Sequence, residues 1–158
     1  YNEKSNFEIK TRNNYEFLKI MSEHFIQKSS KRFTILRVAG LLDKSSRMNS
    51  IQKIISNNNK RISLSSSSSL NYILYEDLLN FTEIVMKKKK FGIFNVSASK
   101  NIKLIDLKKN LNLTNVKFGN YDYITPKIDN TKAKKEYANL KFTTYQNIKK
   151  YLKKNKEN

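Results

Sequence analysis

The stretch Asn14–Gln27, NYEFLKIMSEHFIQ, organises the interpretation of the whole chain. Its apolar residues recur at helical spacing, and the asparagines at its start can cap a helix. Tyr15 and Lys19 stand four residues apart, so a helix brings the phenol and the ammonium to one face. A free phenol ionises near pH ~10, and a neighbouring cation lowers that pKa towards the range that is useful for proton transfer. On spacing alone, a surface tyrosine stacked on a lysine stem is a simpler explanation than a catalytic pair. The segments that follow decide between these two explanations.

The composition favours one domain with an excess of positive charge. The chain has 158 residues, with 32 lysines and arginines against 13 acidic residues and a formal net charge of +19. Such a charge is typical of proteins that bind nucleic acid or anionic membranes. However, the lysines are spread along the chain, and the densest run, Lys87–Lys90, falls where a solvated turn is expected. We therefore attribute the charge to a chain-wide bias and expect no nucleic-acid partner.

Other classes of protein are excluded by what the sequence lacks. Without cysteine there can be no disulfide or thiolate metal site, and the single histidine, His24, cannot form a multi-histidine site. No apolar run approaches the roughly 20 residues that span a bilayer, and the start has no signal-peptide core. These features predict a cytoplasmic protein. The first residue is Tyr1 rather than methionine, which suggests a fragment or a trimmed product.

Helix-like and strand-like segments alternate along the chain, which indicates α/β architecture. Buried strands are predicted over Phe33–Gly40, Asn71–Tyr75 and Gly92–Val96. The serine run Ser65–Ser69 between them is predicted to be a flexible surface loop, with a loop near a ligand as the alternative. After the second strand, Glu76 and Asp77 are expected to cap a helix.

Five segments also follow one another in a characteristic order. They are the Tyr15/Lys19 pair with Glu23, FTILRVAGLL (Phe33–Leu42), NYILYEDLLNF (Asn71–Phe81), GIFNVSAS (Gly92–Ser99) and KIDNTKAKKEYANLKFTTYQNIKKYL (Lys127–Leu152). This order resembles the C-terminal half of the extended short-chain dehydrogenase/reductases, the NAD-dependent epimerase/dehydratase family. The likeness covers nearly the whole chain from Asn14.

The resemblance implies the later part of a Rossmann-like parallel sheet interleaved with a small α/β substrate-binding subdomain. Residues 1–42 and 71–99 would form an incomplete NAD(P)-binding portion, and residues 43–70 and 100–158 the substrate-binding subdomain. With 3 glycines in the sequence, the glycine-rich loop that holds the cofactor pyrophosphate cannot be built. We therefore expect that this portion alone does not bind NAD tightly and is inactive.

The resemblance also implies roles for particular residues in an NAD- or NADP-dependent reaction on a nucleotide-linked sugar. Tyr15 would be the acid/base at a sugar hydroxyl, and Lys19 would bind the nicotinamide ribose and lower the tyrosine's pKa. Val38 and Ala39 would lie near the nicotinamide. Glu23 is interpreted as structural.

The sequence departs from the family pattern where the diphosphate binds. The arginine that usually precedes the Asn71–Phe81 segment is replaced by Leu70, and the later tyrosine-arginine pair by Tyr123 and Ile124. Either another cation, such as Arg47 or Lys60, meets the diphosphate, or the substrate is different. The losses also leave a second hypothesis open, a degenerate family member that acts as a binding protein. A basic nucleic-acid-binding module ranks last, and a homodimer through the helix of Tyr15 is possible by analogy with the family.

Overall fold

The structure is a computed structural model that describes Glu3 and residues 14–44, 48–56 and 61–156. These residues form six α-helices, one 3₁₀ helix and six strands. In chain order the elements are α1 (Asn14–Ser29), β1 (Thr34–Val38), β2 (Gly40–Leu42), α2 (Ser50–Ile55), β3 (Ser69–Leu70), β4 (Tyr72–Leu74), α3 (Tyr75–Lys87), β5 (Gly92–Val96), β6 (Ile102–Lys103), α4 (Leu104–Asn110), α5 (Thr131–Glu136), the 3₁₀ helix Ala138–Lys141 and α6 (Thr144–Lys156). The predicted order of helices and strands is confirmed.

Parallel strand pairs joined by helices confirm the α/β class. β1 pairs with β5 in parallel, from Thr34 opposite Gly92 to Val38 opposite Val96. β2 pairs with β4 in parallel, and β3 pairs with β6 in an antiparallel arrangement. Parallel neighbours need a crossover connection, and α3 lies between β4 and β5 in the chain. The division of the chain into a cofactor portion and a substrate subdomain stays a prediction.

Two clusters of buried apolar side chains hold these elements together. In one cluster Phe81 of α3 meets Phe94 of β5 edge to face, with ring centroids 5.6 Å apart and both side chains almost completely buried. The other cluster comprises Leu42, Ile51, Ile54, Ile62, Leu70, Leu74, Ile102, Leu104, Leu107 and Ile148. Burial of a side chain as large as that of Phe81 is strongly stabilising, so α3 is held firmly on β5. No helix among the described residues is long and apolar enough to cross a membrane.

The predicted cap of α3 is wrong. The helix begins at Tyr75, directly after β4, and its N-cap residue makes no side-chain hydrogen bond. Asp77 is instead buried inside the first turn, where it accepts hydrogen bonds from the Tyr137 hydroxyl at 2.8 Å and from Asn139 Nδ2 at 3.2 Å. A buried carboxylate needs such donors, and here they come from a segment some 60 residues away.

The serine run is also more ordered in its contacts than a surface loop. Ser68 is fully buried, and its hydroxyl oxygen accepts a hydrogen bond from the Tyr123 amide at 3.0 Å. The hydroxyls of Ser65 and Ser67 both donate to Asp122 Oδ1. The prediction of a flexible surface loop is therefore wrong for Ser68.

Candidate functional site

The carboxyl end of β1 is where the two parallel strand pairs meet. Past Val38, the Ala39 amide donates to the Val96 carbonyl at 3.0 Å, and the Gly40 amide donates to the Asn71 carbonyl at 3.0 Å. The chain thus passes from the β1–β5 pair to the β2–β4 pair within three residues. Gly40 lies directly against the Tyr72 ring, and a Cβ atom here would lie 2.5 Å from Cε1 of Tyr72 and displace the ring.

A pocket of about 430 Å³ opens at this junction. Its lining residues come from the end of β1, the starts of β2 and α2, the region from Leu64 to β4 and the segment before α5: Val38, Ala39, Gly40, Ser50, Leu64, Leu70, Asn71, Tyr72, Tyr123, Thr125 and Ile128. The volume is within the range of small-molecule sites, and ligands of open α/β sheets bind beyond the carboxyl ends of the strands. Val38 and Ala39, which were predicted to lie near a nicotinamide, both line this pocket. Their contact with a cofactor stays a prediction.

The wall of this pocket is mainly apolar, and it carries no acidic or basic side chain among the described residues. The Tyr72 phenol is the main titratable group in it, and burial, with a smaller effect of Tyr123, raises the pKa of Tyr72 above 10.0. It therefore stays protonated at neutral pH. The Asn71 side chain is occupied by structural contacts, because its Nδ2 donates to the Ala98 carbonyl and its Oδ1 accepts from the Ala98 amide. The pocket thus suits neutral groups better than a phosphate.

Tyr15 and Lys19 lie on α1, in the helix that the sequence predicted. Lys19 Nζ lies over the Tyr15 ring, 5.5 Å from the ring centroid, within the range of a cation–π contact. Tyr15 is 65% exposed. Neither residue is among those that line the described pocket at the end of β1. Their catalytic and cofactor-binding roles stay predictions.

An ion pair fastens α1 to the sheet. Arg37, near the end of β1, binds the Glu23 carboxylate with two nitrogens: Nε donates to Oε2 at 3.1 Å, and one terminal nitrogen donates to Oε1. The two side chains are only 13% and 14% exposed. By contrast, α1 has no buried residue, and its large apolar side chains are exposed: Tyr15, Phe17, Leu18, Met21, Phe25 and Ile26. The structural interpretation of Glu23 agrees with this geometry.

Arg37 was not singled out from the sequence, although an arginine inside an otherwise apolar strand is a usable signal for a buried ion pair. The residues proposed to meet a diphosphate, Arg47 and Lys60, lie outside the described residues. Leu70, at the position of the family's arginine, is buried in the pocket wall, and Tyr123 and Ile124 are exposed.

Comparisons with known proteins show the fold. No protein-family model and no curated protein sequence matches the chain. Among solved structures, dTDP-glucose 4,6-dehydratase from Bacillus anthracis, in complex with NAD, matches 99% of this chain with a TM-score of 0.74 and 13% identity. dTDP-4-dehydrorhamnose reductase from the same organism, in complex with NADP, matches 98% with a TM-score of 0.73 and 15% identity. The chain therefore shares the fold of these nucleotide-sugar enzymes over most of its length.

The same fold is also found in UDP-N-acetylglucosamine 4-epimerase from Bacillus cereus, with a TM-score of 0.67, 18% identity and 96% of this chain matched. L-Threonine 3-dehydrogenase from Trypanosoma brucei matches 97% of the chain with a TM-score of 0.69 and 13% identity. The chain spans 56%, 59%, 57% and 57% of these four proteins, in the order given, so it corresponds to little more than half of each. The predicted resemblance is confirmed at the level of the fold.

Proposed function

We propose that this chain is the later part of an NAD(P)-dependent epimerase, dehydratase or reductase that acts on a nucleotide-linked sugar. The observation that carries the proposal is the pocket beyond the carboxyl end of β1, at the junction of two parallel strand pairs. Fold similarity to three enzymes whose names give a nucleotide-sugar substrate supports it.

The residues at the pocket fit the nicotinamide end of a cofactor and not its pyrophosphate end. Val38 and Ala39 give a small apolar wall on which a flat ring can lie. None of the three glycines is in a phosphate-binding loop: Gly40 packs on Tyr72, Gly119 packs on the Ser63 carbonyl, and Gly92 begins β5. Bound NAD or NADP would supply the hydride acceptor or donor, and its pyrophosphate would need residues beyond these 158.

In this proposal Tyr15 moves the proton. Its phenolic oxygen would take the proton of a sugar hydroxyl, or return it, as the carbon beneath loses or gains a hydride. Lys19 would hold the nicotinamide ribose. Arg37 and Glu23 act through α1 as positioning residues, because their ion pair fixes the helix that carries both groups.

The diphosphate of the substrate requires a cation that the described pocket wall does not provide. We assign that role to Arg47, with Lys60 as the second choice. The test uses the full-length protein with NAD or NADP and a set of dTDP- and UDP-linked sugars. The variant Arg47→Gln should raise KM with little change in kcat, because a contact to the remote diphosphate is made equally in ground and transition state.

The matched control for this test is Arg32→Gln, which removes the same charge from an exposed position in the turn between α1 and β1. Equal KM values for the two variants would contradict the assignment of Arg47. Absence of any conversion by the full-length protein, with every sugar and both cofactors, would contradict the enzyme proposal itself.

A second candidate function is a binding protein that keeps the fold without the reaction. The absence of charged side chains from the described wall of the pocket favours it, together with Leu70 at the arginine position. It predicts that the full-length protein binds NAD and turns over no nucleotide sugar. A homodimer through α1 is compatible with both candidate functions, because this helix has no buried residue and its apolar side chains are exposed.

A further inference from the structure

A second and larger cleft, of about 860 Å³, lies beside the pocket at the carboxyl end of β1. It is formed by the segment after β5, by α4 and by residues just before α5 and at the start of α6: Ser69, Ala98, Ser99, Lys100, Asn101, Ile102, Lys103, Asp106, Lys109, Asn110, Lys127, Ile128, Thr143 and Tyr145. The two cavities share only Ile128 among their described lining residues. The cleft is therefore a separate site and does not depend on the function proposed above.

The described lining of the cleft carries an excess of positive charge. Four lysines line it against one acid, Asp106. Lys100, Lys103 and Lys109 form no ion pair with any described residue.

Several lysines outside the cleft are neutralised by ion pairs. Lys87 pairs with Glu83, Lys154 pairs with Glu76, and Lys88 and Lys90 share Glu136. The acidic residues that the structure describes thus leave Lys100, Lys103 and Lys109 without an ion-pair partner. Ammonium groups that line one cavity repel one another, and a bound anion reduces that repulsion.

The backbone that carries these lysines is held firmly. Asn101 Nδ2 donates to the Thr125 carbonyl at 2.7 Å, and the Thr144 amide donates to the Lys100 carbonyl at 3.0 Å. α4 is anchored by Leu104 and Leu107, which are completely buried. The backbone positions of Lys103 and Lys109, at the two ends of α4, are therefore fixed. Only their side chains need to be ordered when a ligand binds.

We propose that this cleft binds an anion that carries two or more phosphate groups. Lysine ammonium groups bind phosphate as strong charge-assisted donors, and several around one cavity favour a ligand with several phosphates over a single carboxylate. The volume of the cleft is at the upper end of the range for small ligands and accommodates a nucleotide as well as an inorganic polyphosphate.

The test is isothermal titration of the full-length protein with inorganic triphosphate near physiological salt. The triple variant K100Q/K103Q/K109Q should bind triphosphate about tenfold more weakly or worse, since exposed charges near one ligand each contribute modestly at this ionic strength. The matched control is K31Q/K53Q/K135Q, which removes the same charge from exposed positions outside the cleft. Its affinity should stay close to that of the wild type.

Two parallel titrations complete the experiment. Tighter binding of ATP than of triphosphate, lost in the cleft variant, would assign the site to a nucleotide, whereas equal binding would assign it to the phosphates alone. Equal losses in the cleft and control variants would overturn the proposal, and so would failure of the wild type to bind either probe. The second titration uses a single-stranded oligonucleotide. If both triple variants weaken its binding equally, anion binding comes from the charge dispersed over the whole surface, and the proposal is overturned. Retention of affinity in K100R/K103R/K109R shows that the charge at these positions carries the binding.

Discussion

The substitution Glu23→Gln should loosen α1 while leaving the rest of the fold intact. The change keeps the shape of the side chain and removes the charge that Arg37 binds with two nitrogens. Removing one partner of a fully buried pair costs about 3–5 kcal/mol. Exposed pairs contribute about 0–1 kcal/mol. With the two side chains 13% and 14% exposed, we expect a cost of about 2 kcal/mol, between these limits.

Since α1 has no buried residue, this cost should appear as local opening of the helix. A loss of about 2 kcal/mol raises the population of the open helix about thirtyfold, because about 1.4 kcal/mol corresponds to a factor of ten. Hydrogen–deuterium exchange followed by mass spectrometry measures this in peptides from α1, with α3 as the internal reference. The amides of α1 should exchange about thirtyfold faster in the variant, and those of α3 at an unchanged rate.

The control is Glu83→Gln, which breaks the pair with Lys87 on α3. Both of those side chains are largely exposed, so exchange in α3 should rise by no more than about twofold. An α1 exchange rate in Glu23→Gln that is no faster than in the wild type would refute the reasoning, because α1 would then be held by contacts other than this ion pair.

Three further predictions concern the stability of the fold. Phe81→Ala should lower the free energy of unfolding, measured in urea, by about 3–5 kcal/mol, because a fully buried ring in edge-to-face contact with Phe94 is removed. The control Met86→Ala, at an exposed position, should change this free energy little. Similar urea midpoints for the two variants would contradict the buried position of Phe81. Gly119→Ala should lower the midpoint of thermal unfolding, because the added Cβ would collide with the Ser63 carbonyl oxygen at a cost of about 1–3 kcal/mol. An unchanged midpoint would contradict this prediction and would show that the segment around Ser63 moves aside. The hydroxyls of Ser65 and then Ser67 hold the pKa of Asp122 below 3.8, so its contribution to stability is complete above that pH and is lost as the pH falls through the lowered pKa. Asp122→Asn should therefore show a shallower loss of stability in acid than the wild type, and identical acid unfolding curves would contradict this contribution.

The sequence predicts the elements of this fold wherever the signal is local. Apolar runs predict β1 and β5, and the i to i+4 spacing predicts that Tyr15 and Lys19 share a face of α1, where Lys19 Nζ lies over the tyrosine ring. The characteristic order of five segments predicts the fold, although the four solved structures named above are only 13–18% identical to this chain.

The polar interior could not be predicted, because its partners lie far apart in the sequence. Asp77 fits a helix cap by composition, and only the folded chain brings Tyr137 and Asn139 to it. Ser68 is part of a low-complexity run, yet its hydroxyl holds the Tyr123 amide 55 residues later. The basic cleft is missed for the same reason, since its lysines are scattered along the chain and only the fold assembles them.

The central claim, that Tyr15 transfers a proton in an NAD(P)-dependent reaction, is tested most directly by Tyr15→Phe in the full-length enzyme. We predict that kcat falls at least about a hundredfold, as for loss of a general acid or base, while NAD affinity stays near that of the wild type. The control is Tyr121→Phe, which removes a hydroxyl that is equally exposed, at 64% against 65% for Tyr15. Turnover of Tyr15→Phe equal to that of Tyr121→Phe would contradict the account.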